Sequence, residues 1–263
     1  MRIARIFTKE QETYVLVKGE KYEEISFSFS EGITTTGRIV NPIKFLPPVS
    51  PSKIYLPAVN FRSHSAETSV KTPKKPYFFT KFHNSLIGHE ESIIIPRGVT
   101  TLDYEGELAV VIGRKCKYVS VDEAAQCIYG YTIANDISIR EFQFDSVEGL
   151  GKDWVLGKGA DSALPLGPVL VTKDEISFPL KIETRVNGEV RQSGTTEDMI
   201  FSFERMISDL TKVITLLPGD VITSGTPSGV GKFTGEKYLK DGDVVEVEIS
   251  RIGTLRNTVK MDS

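Results

Sequence analysis

Asp103-Tyr-Glu-Gly-Glu107 runs directly into the apolar stretch Leu108 to Gly113. If the two glutamates open a strand, Glu105 and Glu107 point to one face, because strand side chains repeat every two residues. Two carboxylates held that close repel each other unless a cation sits between them. Oxygen ligands select a hard ion, Mg²⁺, Mn²⁺ or Ca²⁺, over zinc. The chain has three histidines, His64, His83 and His89, too few for a histidine-rich metal site. Acidic i, i+2 pairs also occur on solvated strand faces, and the pair alone does not separate the two readings. A second strand-like run, Tyr129 to Asp136, ends in a carboxylate. Asp136 either completes a set of three acids or serves as a turn or cap residue.

His64 and Glu67 stand three apart. On a helical turn they share a face, and the carboxylate can hold the imidazole in one tautomer and raise its basicity. That is the form of a general-base dyad, and equally that of an ordinary surface pair. The stretch Thr223-Ser-Gly-Thr-Pro-Ser-Gly-Val-Gly231 matches neither the dinucleotide fingerprint nor the phosphate loop. Its backbone N–H groups and the Thr226 hydroxyl could grip a carboxylate, or the glycines could serve a tight turn.

These residues need a scaffold, and 263 residues provide one large core, or a large domain with a small one attached. A net charge of −3 gives no support for a nucleic-acid surface. The longest apolar runs are too short to cross a bilayer, so no membrane partner is expected. The charged N-terminus lacks the apolar stretch of a signal peptide. Cys116 and Cys127 have no metal-type spacing, a disulfide framework is excluded, and the cytoplasm is the default compartment.

Four prolines between Pro42 and Pro51 mark a linker. It divides residues 1–50, a small N-terminal β domain with short strands at Arg2 to Phe7, Thr13 to Val17 and Tyr22 to Ser26, from a catalytic domain over 51–263. Beyond the linker, Leu180 to Val186 alternates apolar and polar residues and ends at Asn187-Gly188, a favoured hairpin turn. Val245, Val247 and Ile249 form the apolar side of another strand. Ser120 to Glu123 is a capping box opening a short helix through Cys127. Ser202 precedes a helix with Phe203, Met206, Ile207, Leu210, Val213 and Ile214 on one face. The pattern is that of a β-rich α+β protein rather than a doubly wound sheet.

Taken in order, KIYLPAVNFRSHSAE, PYFFTKFHNSLIG, LDYEGELAVVIG, GYTIANDIS, GKGAD, PLGPVLVT, VNGEVRQSGTTEDMIF and LPGDVITSGTPSGVG resemble the fumarylacetoacetate hydrolase family. The branch that fits includes acylpyruvases and 2-hydroxyhepta-2,4-diene-1,7-dioate isomerases. The resemblance runs from about Lys53 to the end. It implies a mixed β-sandwich roll, a homodimer, and a divalent metal, Mg²⁺ or Mn²⁺ with Ca²⁺ as a further option, held by Glu105, Glu107 and Asp136. It implies that Lys158 neutralises charge beside the metal and that His64 and Glu67 activate water. Lys81, Arg140, Gln143 and Thr226 fall where relatives line the substrate site. The chain departs from the family pattern at Phe61, Ser224, Ile139-Arg140-Glu141 and Phe82, none of them an implied metal ligand.

The activity so implied acts on a small 2-oxo acid: hydrolysis of a C–C bond in an acylpyruvate, with pyruvate leaving as an enolate. The alternatives that share the enolate are isomerisation or decarboxylation of an unsaturated 2-oxo diacid and dehydration of a 2-oxo-3-deoxy sugar acid. A non-catalytic acid-binding β protein would need neither the His64–Glu67 pair nor Lys158.

Overall fold

The structure, a computed structural model, describes residues 1–144 and 151–262. Its centre is the strand pair Gly106–Ile112 and Ile128–Asn135, buried along almost its whole length. Leu108, Val110 and Ile112 face one core with Leu180, Ile182, Val247, Ile249 and the helix Phe203–Thr211. Ala109 and Val111 face a second core with Ile3, Leu16, Leu164 and Leu166. A strand covered on both faces reads as a continuous apolar run, which explains LAVVI.

The large sheet runs Gly32–Val40, Lys21–Ser28, Glu12–Lys18, Arg2–Phe7, Leu164–Thr172, Ile128–Asn135, Gly106–Ile112, Val221–Thr223, Ile54–Pro57 and Phe78–Lys81. Parallel and antiparallel pairs are mixed within it. A five-stranded sheet packs against it, in the order Glu189–Thr195, Lys181–Val186, Val244–Ile249, Gly253–Met261 and Ser92–Ile95. The β-rich mixed roll expected from the sequence is the architecture found. The Asn187-Gly188 turn lies between paired strands, with both residues at positive φ as that hairpin requires.

The N-terminal strands do not stand apart. Ile3 pairs with Leu170, so residues 2–40 extend the large sheet. The proline-rich stretch carries a strand of its own, Lys44–Leu46, paired with Arg5 to Phe7. Its prolines flank these ladder positions rather than occupying them.

The capping box at Ser120 is present with both reciprocal bonds. The helix after Ser202 ends at Thr211, earlier than its apolar spacing suggests, and Val213 is exposed. One expectation is overturned: Cys116 and Cys127 are joined in a disulfide. The antiparallel pairing of Ile112 with Ile128 folds the intervening loop back on itself and brings the two cysteines together. Topology rather than spacing decides the pairing, and the reducing compartment inferred from unpaired cysteines loses its ground. Among the described residues, no helix is long and apolar enough to cross a membrane.

Candidate active site

The strand register assembles the acidic cluster. Gly106 pairs with Asn135 and Glu107 with Ala134, so one step further Glu105 meets Asp136. Asp136 N–H donates to Glu105 O at 2.9 Å, and Glu105 N–H donates to Asn135 Oδ1 at 3.0 Å. Gly106 faces the second sheet so closely that a Cβ would lie 2.1 Å from Thr184 Oγ1. That contact consigns Glu105 and Glu107 to the opposite side. Ligand oxygens of Glu105, Glu107 and Asp136 fall within 4.8 Å of one another, and all three residues are buried.

Lys158 closes the short helix Trp154–Lys158, capped by Asp153, whose carboxylate accepts from Leu156 N–H at 2.9 Å. The helix is seated against Arg140–Phe144, where Gly157 leaves no room for a side chain over Gln143. Lys158 Nζ donates to Glu105 Oε2 at 2.9 Å, Asp136 Oδ2 at 2.7 Å and Ser138 Oγ at 2.6 Å. Burial lowers the Lys158 pKa, but Asp136 and Glu105 outweigh it and hold the ammonium charged. Burial also raises the Glu105 carboxyl, yet Lys158 and Arg140 together bring it below its ordinary value. Among the described residues, Glu107 has no ion-pair partner of its own. Burial, then the charges of Asp136 and Glu105, push its carboxyl well up. Asp136 is raised by burial, with Lys158 and Lys81 opposing.

Among the described residues, the buried Glu107 Oε2 accepts no hydrogen bond, and Asp136 Oδ1 meets only the Lys81 ammonium, 3.0 Å away. An unsatisfied carboxylate oxygen beside two further buried carboxylates costs free energy in a protein interior. A hard divalent cation fits this donor set: it satisfies the unpaired Glu107 oxygen and offsets the repulsion that raises Glu107.

Across the same cavity, of about 170 Å³, stands His64. Its helix, Arg62–Glu67, places Glu67 one turn on, with Oε2 2.9 Å from His64 Nδ1. Glu67 Oε1 accepts from Gly229 N–H at 2.8 Å. The glycine-rich stretch does grip carboxylates, but they belong to the protein. Gly231 and Lys232 N–H hold Asp103 just as Gly229 holds Glu67.

The four residues implied as substrate-binding divide. Arg140, Gln143 and Thr226 line the cavity. Arg140 is tied to Asp103 at 2.8 Å, to Gln143 at 2.8 Å, and approaches Glu105 at 2.6 Å. Thr226 Oγ1 accepts from Gln192 at 2.7 Å and donates to Gly106 O at 3.0 Å. Lys81 does not line the cavity. It lies fully buried behind Asp136, 3.0 Å from Oδ1, and donates to Ile137 O at 2.8 Å and Lys158 O at 2.5 Å. Burial lowers its pKa to about 8. Reading the sequence alone missed Asp103, which anchors Arg140, and Gln192, which anchors Thr226 and Gly106 N–H. Asp103 sits inside the acidic motif and was open to notice; Gln192 lies in a hairpin strand with no local signal.

Residues 53–260 match the family model described as fumarylacetoacetate (FAA) hydrolase, C-terminal. The chain belongs to the fumarylacetoacetate hydrolase family. Among relatives of this family, the chain is 42% identical over 221 residues to oxaloacetate tautomerase Fahd2a, mitochondrial, of Rattus norvegicus, covering 82% of this chain and 69% of that one. The corresponding Homo sapiens protein, FAHD2A, is 43% identical over the same shares. The solved structure of 5-carboxymethyl-2-hydroxymuconate delta-isomerase from Mycobacterium smegmatis superposes with a TM-score of 0.87 at 35% identity, covering 100% of both chains. That of 2-hydroxyhepta-2,4-diene-1,7-dioate isomerase from Mycobacterium marinum gives 0.86 at 34%, covering 100% of this chain and 99% of that one. Family membership and the roll fold are thereby established, and enzymes with tautomerase and isomerase names are among the relatives.

Proposed function

We propose that this enzyme interconverts the keto and enol forms of a small 2-oxo dicarboxylate of the oxaloacetate type, with a divalent metal held by Glu105, Glu107 and Asp136. One observation carries the reading: a single small cavity is lined by His64 and by Glu105, Glu107 and Lys158. A base and a site for enolate charge therefore share one ligand. The volume suits a compact acid, well below the several hundred Å³ typical of drug-sized ligands. The tautomerase and isomerase names among its relatives point the same way.

The metal, Mg²⁺ or Mn²⁺, when bound, supplies Lewis acidity to the 2-oxo oxygen and the neighbouring carboxylate. Lys158 contributes a fixed positive charge at the acidic cluster, where the oxygen at C2 gains negative charge. His64 Nδ1 is engaged by Glu67, which leaves Nε2 to take a proton from C3. The C3–H electrons become the C2–C3 double bond, the oxygen at C2 takes a proton from solvent on release, and the His64 imidazolium gives its proton back to solvent. Run backwards, His64 returns the proton to C3. Glu67, pinned by Gly229, keeps the ring in one orientation.

A second reading is the C–C hydrolase. The His64–Glu67 pair favours it, because an oriented imidazole could equally activate water against an acylpyruvate. A homodimer is part of this proposal, and sedimentation should give twice the 29.2 kDa chain mass. The deciding experiment follows the ultraviolet absorbance of the conjugated enol of oxaloacetate with Mg²⁺. Pyruvate release from an acylpyruvate and CO₂ release from oxaloacetate are measured in parallel. Fast enol decay without pyruvate or CO₂ supports the tautomerase. Pyruvate release from the acylpyruvate without enol decay would replace it with the hydrolase.

A further inference from the structure

The cavity carries a cation that neither the mechanism nor an ion pair among the described residues engages. Lys152 lines it, and its Nζ lies 4.4 Å from the ring centroid of Phe144 and 5.4 Å from that of Trp154. Lys232 approaches Phe144 as well, with Nζ also 4.4 Å from the centroid. Among the described residues, neither ammonium has a carboxylate partner. The other cations of the site are committed. Lys158 is held by Glu105 and Asp136, Arg140 by Asp103 and Glu105, and Lys81 by Asp136. Aromatic faces stabilise an ammonium only modestly and do not neutralise it. Burial, followed by the charges of Arg140 and Lys158, lowers the Lys152 pKa. Like charge from Arg140 and Lys158 thus adds to the effect of burial, with Glu105 opposing it.

Charge balance points the same way. The metal ligands carry three negative charges and Lys158 and Lys81 two positive, so a divalent cation leaves the cluster one positive charge, which the carboxylate beside the 2-oxo group meets. Arg140 and Asp103 cancel each other. Lys152 is then left to meet charge that the ligand brings.

We propose that Lys152 reads the second carboxylate of a dicarboxylic substrate, with Lys232 on the same phenyl ring adding to the positive field. This rests on the 2-oxo acid reading above and specifies its ligand further. A 2-oxo acid with one carboxylate places that group at the metal and leaves Lys152 unpaired; a diacid engages both ends. Phe144 and Trp154 hold the flexible lysine stem over an apolar surface, so less side-chain freedom is lost on pairing.

The test is calorimetric and needs no turnover. Malate and lactate are both 2-hydroxy carboxylates and differ by one carboxylate, and neither can enolise. On the Mg²⁺-loaded protein, malate should bind at least about tenfold more tightly than lactate, the scale of one hydrogen-bonded charge pair. Lys152→Met should bring that ratio close to one, Lys152→Arg should keep most of it, and Lys232→Met should reduce it less than Lys152→Met. Unfolding curves confirm that the variants are folded, as substitution at a solvent-facing lysine should allow. Equal malate and lactate affinity in the wild-type protein, or an unchanged ratio in Lys152→Met, would overturn the proposal. Malate preference with no enol–keto activity would sink the tautomerase and keep the diacid site; activity without malate preference would do the reverse.

Discussion

Glu67 joins His64 to the backbone: one carboxylate oxygen lies 2.9 Å from Nδ1 and the other accepts from Gly229 N–H at 2.8 Å. The imidazole is therefore oriented by a carboxylate that is itself fixed, which is what a proton carrier needs. His64→Ala should lower kcat for enol–keto conversion by about 10²-fold or more, a typical general-base contribution. Glu67→Gln should lose less, because it misorients the ring without removing it. Steady-state kinetics on both variants check this, and an unchanged kcat in His64→Ala would make the pair structural.

Without metal, stability should depend on pH in a defined direction. Glu107 has a carboxyl raised above its unfolded value by burial and by Asp136 and Glu105. Such a group contributes stability that is fully present below the unfolded pKa and is lost as pH rises through the folded one. In chelator, the Tm should fall as the pH rises above the ordinary carboxylate range. Saturating Mg²⁺ should flatten that slope and raise stability by about 3 kcal/mol at a hundred times Kd. Thermal scans with chelator or Mg²⁺ across this rise in pH test both statements.

Gly106 is where the second sheet presses on the acidic strand. Gly106→Ala puts a methyl group 2.1 Å from Thr184 Oγ1 and 3.0 Å from Val247 Cγ1. Both neighbours are buried, so the strand must shift. A loss of about 1–3 kcal/mol is expected from overpacking, with activity falling further because Glu105 and Glu107 move with the strand. Urea unfolding beside kinetics separates the two effects.

The disulfide Cys116–Cys127 lies at the end of the central strand pair remote from Glu105. Closing so short a loop is worth about 3 kcal/mol by chain entropy. Cys116→Ala with Cys127→Ala should lower stability by about that amount and leave kcat within a factor of about two, since removing a distant staple leaves the site's contacts in place. Equal stability with and without reductant would show that the bond does not form in solution.

Much of the site could be read from residue order, and the exceptions have physical causes. The shared face of Glu105 and Glu107 follows from strand parity alone. The partnership of Asp136 with Glu105 depends on register, which no local pattern sets; the family resemblance supplied it. Lys81 and Lys158 are both lysines in motifs, yet one stands behind Asp136 and the other faces the cavity. Lys81 ends the strand Phe78–Lys81 and Lys158 the helix Trp154–Lys158, and only the packing of that helix against that strand separates their roles. The glycine-rich stretch was legible as a carboxylate grip but not for whose carboxylate, because Glu67 and Asp103 come from distant chain segments. The proline-rich stretch suggested a seam, but Ile3 pairing with Leu170 joins the N-terminal strands to the large sheet through a contact far apart in sequence.

The central claim is that Glu105, Glu107 and Asp136 together hold one divalent cation. Calorimetric titration of the chelator-treated protein with Mg²⁺ tests it most directly, repeated on Glu105→Gln, Glu107→Gln and Asp136→Asn. The expected result is one site per chain, with proton release on binding as the raised Glu107 carboxyl gives up its proton. Each variant should lose that binding while keeping a cooperative unfolding transition. Unchanged Mg²⁺ affinity in all three variants would contradict the assignment and the mechanism built on it.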